Sequence, residues 1–232
     1  MNAARTGTRE RAGGFTLIEL LIAMTVSLLI LSLIAAFQSG SLQLSRSIDS
    51  GSRRLGNIND VSGYVSSQLR MAALTASSVN LNGTCDVDST TAPCLAVVVP
   101  PSGGQNWTAY AYRYVSRADV PANDKVASTW LDSNAVALYE DRYVLPGTST
   151  CAEASFTCFS GVTPVTSLLT DQLSLSQSSG GDFRPFAVSG SGPDTTLTLR
   201  WRAVSHVGGK ESYTPPLPQT PYELVVNPRN IF

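Results

Sequence analysis

Gly13-Gly14-Phe15-Thr16-Leu17-Ile18-Glu19-Leu20-Leu21-Ile22 opens an apolar run that continues to Phe37. Residues 15–37 carry one ionisable side chain, Glu19. As a helix rising about 1.5 Å per residue, the run is roughly 35 Å long, enough to cross a hydrocarbon core of about 30 Å. The flank before it is short and basic, with Arg5, Arg9 and Arg11 against Glu10. Positive charge keeps such a flank on the cytoplasmic side. The expectation is a membrane-inserted helix with a cytoplasmic N-terminus and the bulk of the chain outside.

A secretory signal peptide is laid out differently, with an apolar stretch of about 7–15 residues followed by a small-residue cleavage site. Here the apolar stretch is longer, and the small residues Gly13 and Gly14 precede it. Cleavage at that point leaves the helix on the mature chain.

Gly14-Phe15-Thr16-Leu17-Ile18-Glu19 resembles the class III leader junction of type IV pilins and of the pseudopilins of type II secretion. The resemblance implies that a membrane prepilin peptidase removes residues 1–14 and that the new amino terminus, on Phe15, is N-methylated. Glu19 then becomes the fifth mature residue, where such proteins carry a carboxylate. A carboxylate in a membrane helix costs a few kcal/mol and is rarely kept without a partner. In a helical filament the implied partner is the N-terminal amine of a neighbouring subunit, and pairing two desolvated opposite charges fixes axial register. The blander reading is that Glu19 sits at the interfacial edge and reaches water.

The chain has 232 residues, 43% of them hydrophobic, and a formal net charge of −1. One anchor and one globular domain of ordinary size is the natural division. The charge gives no basic surface that points to nucleic acid, and none is expected as a partner.

Beyond Phe37 helical spacing persists from Gln38 to Ala73, with no proline before Pro93. Leu55, Ile58, Ser62, Val65, Leu69 and Ala72 recur at steps of three and four, with Arg54, Asn57, Asp60, Ser67 and Arg70 between them. This is an amphipathic continuation, read as residues 38–75, that fastens the 15–37 anchor to a domain at 76–232. Gly40, Gly51 and Gly56 are weak points for a bend or break, each costing about 1 kcal/mol relative to alanine.

Val79–Pro93 reads as loop, and β-structure follows. The strand candidates are Leu95–Val99, Trp107–Val115, Ala135–Leu145, Leu168–Ser176, Thr196–Val204 and Tyr222–Val226. In Thr196–Val204 the alternation places Leu197, Leu199, Trp201 and Ala203 inward and Thr196, Thr198, Arg200 and Arg202 outward. The fold class is α+β: a long N-terminal helix packed on a mainly antiparallel sheet, as the pilin resemblance also implies.

Four cysteines fall into two local pairs, Cys85/Cys94 and Cys151/Cys158, each in a polar stretch of a domain expected to face an oxidising compartment. Two local disulfides are expected. A zinc site is disfavoured, because the spacings are too wide for Cys-x-x-Cys and His206 is the only histidine. Asp86-Val87-Asp88 with Thr90 has part of a calcium loop, but Val97 stands where its bidentate glutamate belongs. No metal and no cofactor are expected.

No catalytic constellation stands out. His206 beside Gly208-Gly209 reads as a loop residue, and Gly190-Ser191-Gly192 lacks the spacing of a nucleophile elbow. Glu140 and Asp141, adjacent on a strand candidate, point to opposite faces. The chain is not read as an enzyme.

Gln68-Leu69-Arg70-Met71-Ala72 is similar to the Arg-Met-Ala stretch of PilW-like minor pilins, and Glu223–Asn230 resembles their closing strand and tail and that of J-class minor pseudopilins. The absence of cysteine after Cys158 departs from the disulfide loop of major pilins. The resemblance implies a structural subunit of low copy, held in the inner membrane and then in a pilus near its tip. The implied partners are other minor and major pilins, a tip adhesin, the inner-membrane assembly platform, membrane lipid and, with the chain as its substrate, the prepilin peptidase. A J-class pseudopilin of type II secretion shares the same assembly physics. A DNA-uptake or receptor-binding tip module is a third reading, with Arg113, Arg117, Arg200 and Arg202 as its candidates.

Overall fold

Helix α1 spans Leu17–Arg70 in the computed structural model, which describes residues 16–101, 106–125, 127–145, 151, 153–177, 181–207 and 209–229. Helix side chains at 43, 44, 46, 47, 49–51 and 54 also lie outside the description. The backbone is helical through Gly40, Gly51 and Gly56, so none of the three expected weak points breaks it. The chain divides into two compact units between Ser50 and Gly51.

In the first unit every described side chain from Thr16 to Leu42 is exposed. In the second unit α1 presents a narrow buried stripe, Ile58, Val61, Ser62, Val65, Ser66 and Leu69, which Ala72 continues just past the helix end. These positions recur at steps of one, three and four, which keeps them on one helical face. Leu55, expected in that stripe, is 49% exposed and lies outside it. Asn57, Asp60, Ser67 and Arg70 are exposed, as an amphipathic helix requires.

Twelve strands follow among the described residues: β1 Leu74–Ala76, β2 Ser78–Asn80, β3 Thr84–Asp86, β4 Cys94–Val99, β5 Thr108–Ser116, β6 Val136–Val144, β7 Val165–Leu173, β8 Phe186–Ser189, β9 Thr196–Trp201, β10 Ala203–Val207, β11 Lys210–Thr214 and β12 Tyr222–Val226. A short helix α2, Thr129–Asn134, precedes β6 and is capped by Ser128, whose hydroxyl accepts from the Leu131 amide. The strands form a seven-stranded sheet ordered β1-β4-β5-β6-β7-β10-β11, a three-stranded sheet ordered β12-β9-β8, and the hairpin β2-β3. Every strand pair is antiparallel. The class is α+β.

Strand β4 explains the architecture. All six of its residues are buried. Leu95, Val97 and Val99 join the α1 stripe in one core with Tyr112, Tyr114, Leu138, Phe186, Leu197, Leu199, Trp201 and Val226. Cys94, Ala96 and Val98 enter a second core with Ala109, Ala111, Tyr143, Phe156 and Phe159. A strand covered on both faces has no polar face to show, so it reads as a continuous apolar run.

Polar contacts fasten α1 to the sheet. Tyr64 donates its hydroxyl to Glu140 Oε1 at 3.1 Å, and Asn57 donates to Thr170 Oγ1 at 3.2 Å. At the C-terminus of α1 the Arg229 amide donates to the Arg70 carbonyl at 3.0 Å, satisfying a carbonyl that the helix itself leaves open. The tail after β12 therefore closes the helix end.

Three expectations need correction. Val79–Pro93, read as loop, contains most of the β2–β3 hairpin; its turn uses Asn82, at a φ of 55°, followed by Gly83. Thr196–Val204, read as one strand, is two: the chain leaves the three-stranded sheet after Trp201 and joins the seven-stranded sheet at Ala203. His206 lies on β10, not in a loop, with its ring stacked on Trp130 at 4.7 Å between centroids.

Candidate functional site: the N-terminal helix and the polar clefts of the domain

Gly14 and Phe15, the expected processing residues, lie outside the described residues. Immediately after them, Thr16 and Glu19 start α1 with a reciprocal cap. The Thr16 amide and hydroxyl both donate to Glu19 Oε2, at 3.0 and 2.9 Å, and the Glu19 amide donates to Thr16 Oγ1 at 3.3 Å. This is the Thr-x-x-Glu capping box, which satisfies amides that the first turn leaves open. The spacing was visible in the sequence, yet reading Glu19 for its charge alone passed over it. An ionised carboxylate offers about four acceptor positions and Thr16 occupies two, so the same group has capacity for a cation from another molecule.

Behind the cap, Leu17–Leu42 contains an 18-residue window with a mean hydropathy of 2.7, none of it buried. Four hydroxyls along it are turned inward on the helix backbone. Thr25 donates to the Ile22 carbonyl, Ser27 to Ala23, Ser32 to Leu29 and Ser39 to Ala36, at 2.7–2.8 Å. A hydroxyl satisfied by its own helix loses little in an apolar surrounding. This segment, apolar on all sides, fits a membrane anchor.

In the domain, Cys85 is bonded to Cys94 with Cα atoms 4.9 Å apart, and Cys151 to Cys158 at 6.1 Å. The first bond ties β3 to β4. Both belong to the second core: Cys85 and Cys94 are buried in it, while Cys151 and Cys158 pack against it. The two staples, remote in sequence, thus close the sheet face that α1 leaves uncovered. Tyr143, whose hydroxyl donates to the Leu81 carbonyl at 2.9 Å, pins the β2–β3 hairpin over the same core.

The four candidate arginines do not form one patch. Arg113, on β5, pairs with Asp141, which also accepts from Thr166 Oγ1. Arg117 is fully buried, donating to Asp171 at 2.9 Å and to Asp132, a carboxylate that also takes Lys125 at 3.1 Å. The Lys125 ammonium first, then the Arg117 guanidinium, holds the Asp132 carboxyl below its usual range. A buried ion pair with this many partners positions elements and is closed to a ligand.

Arg200 and Arg202 share a cleft of about 360 Å³ with Phe183, Arg184, Pro218 and Pro221. Arg202, expected to point outward, is 1% exposed. Its guanidinium donates to the Ser176 and Gln219 carbonyls and lies 5.8 Å from the centre of the Phe183 ring. Alternation misplaced it because the sheets change at that residue, which puts protein on both of its sides. Arg184, which sequence reading passed over, pairs with Asp88.

Glu140 and Asp141 face opposite sides of β6, as alternation requires, and both are buried. Burial, more than any other influence, pushes the Glu140 carboxyl above its usual range, with the Tyr64 hydrogen bond working against it. In the partial calcium pattern, Asp88 is engaged by Arg184, and Asp86 Oδ1 accepts from the Asp88 amide at 2.9 Å.

A family model described as the prokaryotic N-terminal methylation motif matches residues 9–35. Comparison with curated proteins and with solved structures returned no match. The matched motif supports a protein of the type IV pilin and pseudopilin kind. It indicates a structural subunit, which implies processing by a prepilin peptidase and assembly with other pilins.

Proposed function

We propose that the chain is a minor type IV pilin similar to the PilW kind, which primes or caps pilus assembly. The observation that carries this reading is the methylation motif at 9–35 leading directly into a capped helix with Glu19 in its first turn and apolar side chains all round. The domains follow from it: residues 1–14 as leader, 15–37 as transmembrane and assembly helix, 38–75 as its amphipathic continuation, and 76–232 as the periplasmic domain.

Each part has a physical role. After cleavage between Gly14 and Phe15, the helix is anchored in the inner membrane with its N-terminus cytoplasmic. In the filament its apolar surface exchanges lipid for the helices of neighbouring pilins. That exchange is close to neutral in hydrophobic terms, so packing and polar contacts decide it. Glu19 supplies the polar contact, taking the methylated amine of a neighbour while keeping its bonds to Thr16. The domain, stapled at Cys85–Cys94 and Cys151–Cys158, meets neighbouring subunits or a tip adhesin near the end of the pilus.

The test is deletion in the native host, with sheared filaments and secreted proteins assayed together. Loss of surface pili, with the chain itself found in the sheared fraction of the parent strain, supports the minor pilin. Intact pili with loss of secretion assign it to a J-class pseudopilus. Loss of DNA uptake, or of surface attachment, from normally assembled filaments assigns it to a tip-binding module.

A further inference from the structure

The cleft lined by Arg184, Arg200 and Arg202 has an imbalance of charge. Arg184 is paired with Asp88, and Arg200 with Glu223 through Nε at 2.9 Å. Arg202 has no carboxylate partner among the described residues: its bonds go to the Ser176 and Gln219 carbonyls, and its Nε, buried, has no hydrogen-bond partner. Three guanidinium groups therefore face two carboxylates. A buried cation held by neutral carbonyls alone is costly, and an anion brought close to it recovers part of that cost. Phe183, Pro218 and Pro221 give the cleft apolar wall, beside the polar Gln177, Gln219 and Thr220, and the Arg200 guanidinium is also fixed by the Arg184 carbonyl at 3.3 Å. A rigid, preformed guanidinium beside an apolar wall suits a carboxylate on an aliphatic stem.

We propose that this cleft is a docking site for one acidic side chain, a glutamate or aspartate, of a protein partner. The stem lies against Phe183 and the prolines, and the carboxylate sits over Arg200 with the charge of Arg202 behind it. A polyanion is a poorer fit. Asp88 and Glu223 are exposed beside the cleft, so a row of phosphates, with more negative charge, meets more repulsion than a single carboxylate. The proposal does not depend on processing or filament assembly, because the cleft belongs to the domain alone.

The test uses the full chain in lipid nanodiscs, labelled so that the arginine Nε–Hε resonances are observed. The probes are N-acetyl-glutamate methylamide, its glutamine counterpart, inorganic phosphate and a thymidine oligonucleotide. The glutamate compound should move the Arg200 and Arg184 resonances saturably, and the glutamine compound should leave them in place. Arg200→Gln should weaken the apparent affinity about fivefold, and Glu223→Gln, which frees Arg200, should tighten it about threefold, as expected for a partly exposed charge pair. Arg202 is kept in these variants because it forms the base of the cleft. Equal responses to the glutamate and glutamine compounds overturn the proposal, as does unchanged affinity in Arg200→Gln. Tighter binding of phosphate or of the oligonucleotide overturns it in favour of a phosphate ligand.

Discussion

Helix α1 carries two different surfaces along one continuous backbone. From Leu17 to Leu42 it is apolar on every side and entirely exposed. From Ile58 to Leu69 it is apolar on one stripe, and that stripe is buried. A helix with one apolar stripe has found its partner within its own domain. One that is apolar all round needs a different solvent, either lipid or the helices of other molecules. The same element therefore serves folding at one end and, in the proposed function, insertion and assembly at the other, and the two roles can be separated by substitution.

The largest expected difference is in domain stability. Leu69, fully buried, lies in the stripe, and Leu29, 66% exposed, lies in the apolar segment. Leu69→Ala should destabilise the domain by about 2–5 kcal/mol, whereas Leu29→Ala should stay within about 0.5 kcal/mol. Denaturant unfolding followed by domain tryptophan fluorescence reads both. Equal losses would abolish the contrast.

Next come the disulfides, which act on the domain alone. Each closes a short loop, with sequence separations of 9 and 7, so chain entropy limits either to at most about 3 kcal/mol. Replacing Cys85 and Cys94 together with serine should cost more than replacing Cys151 and Cys158, because the first pair buries both sulfurs in the second core. Membrane insertion should be unchanged in both variants, as measured by carbonate extraction.

Glu19→Ala probes the other end. Incorporation into filaments should fall about tenfold, equivalent to about 1.4 kcal/mol of lost pairing, while the unfolding curve of the domain is unmoved. Parent-level incorporation of this variant would remove the register role.

The smallest effect is a pH dependence confined to the buried end of the helix. Burial raises the Glu140 carboxyl, which accepts the Tyr64 hydroxyl. The folded chain then holds this proton more tightly than the unfolded chain. Its contribution to stability is full below the ordinary carboxylate range and is lost as pH rises through the raised value. Glu140→Gln keeps an acceptor for Tyr64 without the titration, so it should flatten that section of the stability profile. An unchanged profile would assign the slope to another group.

Much of this contrast was legible in the sequence, because both surfaces are written in local periodicity. The unbroken apolar run and the spacing of Ile58, Ser62, Val65 and Leu69 are properties of neighbouring residues, as is the alternation in β9. What escaped depended on distant partners. Arg117 looks like any strand-end arginine until Asp132 and Asp171 arrive, 15 and 54 residues away. Arg202 follows an outward alternation until the chain changes sheets there. Leu55 fits the helical stripe by spacing, but the stripe is covered only from Ile58 onward. In the β2–β3 turn the signal was present in Asn82-Gly83, and the short strands beside it lacked the apolar alternation that marks longer ones.

In the proposed function the apolar end of α1 begins a processed, methylated subunit. Mass spectrometry of the N-terminal peptide, from the protein purified out of native-host membranes, tests it most directly. The expected result is a mature chain that starts at Phe15 and carries one methyl group on its amine. A chain that retains residues 1–14 would contradict it and would leave α1 as a simple anchor for the β-domain.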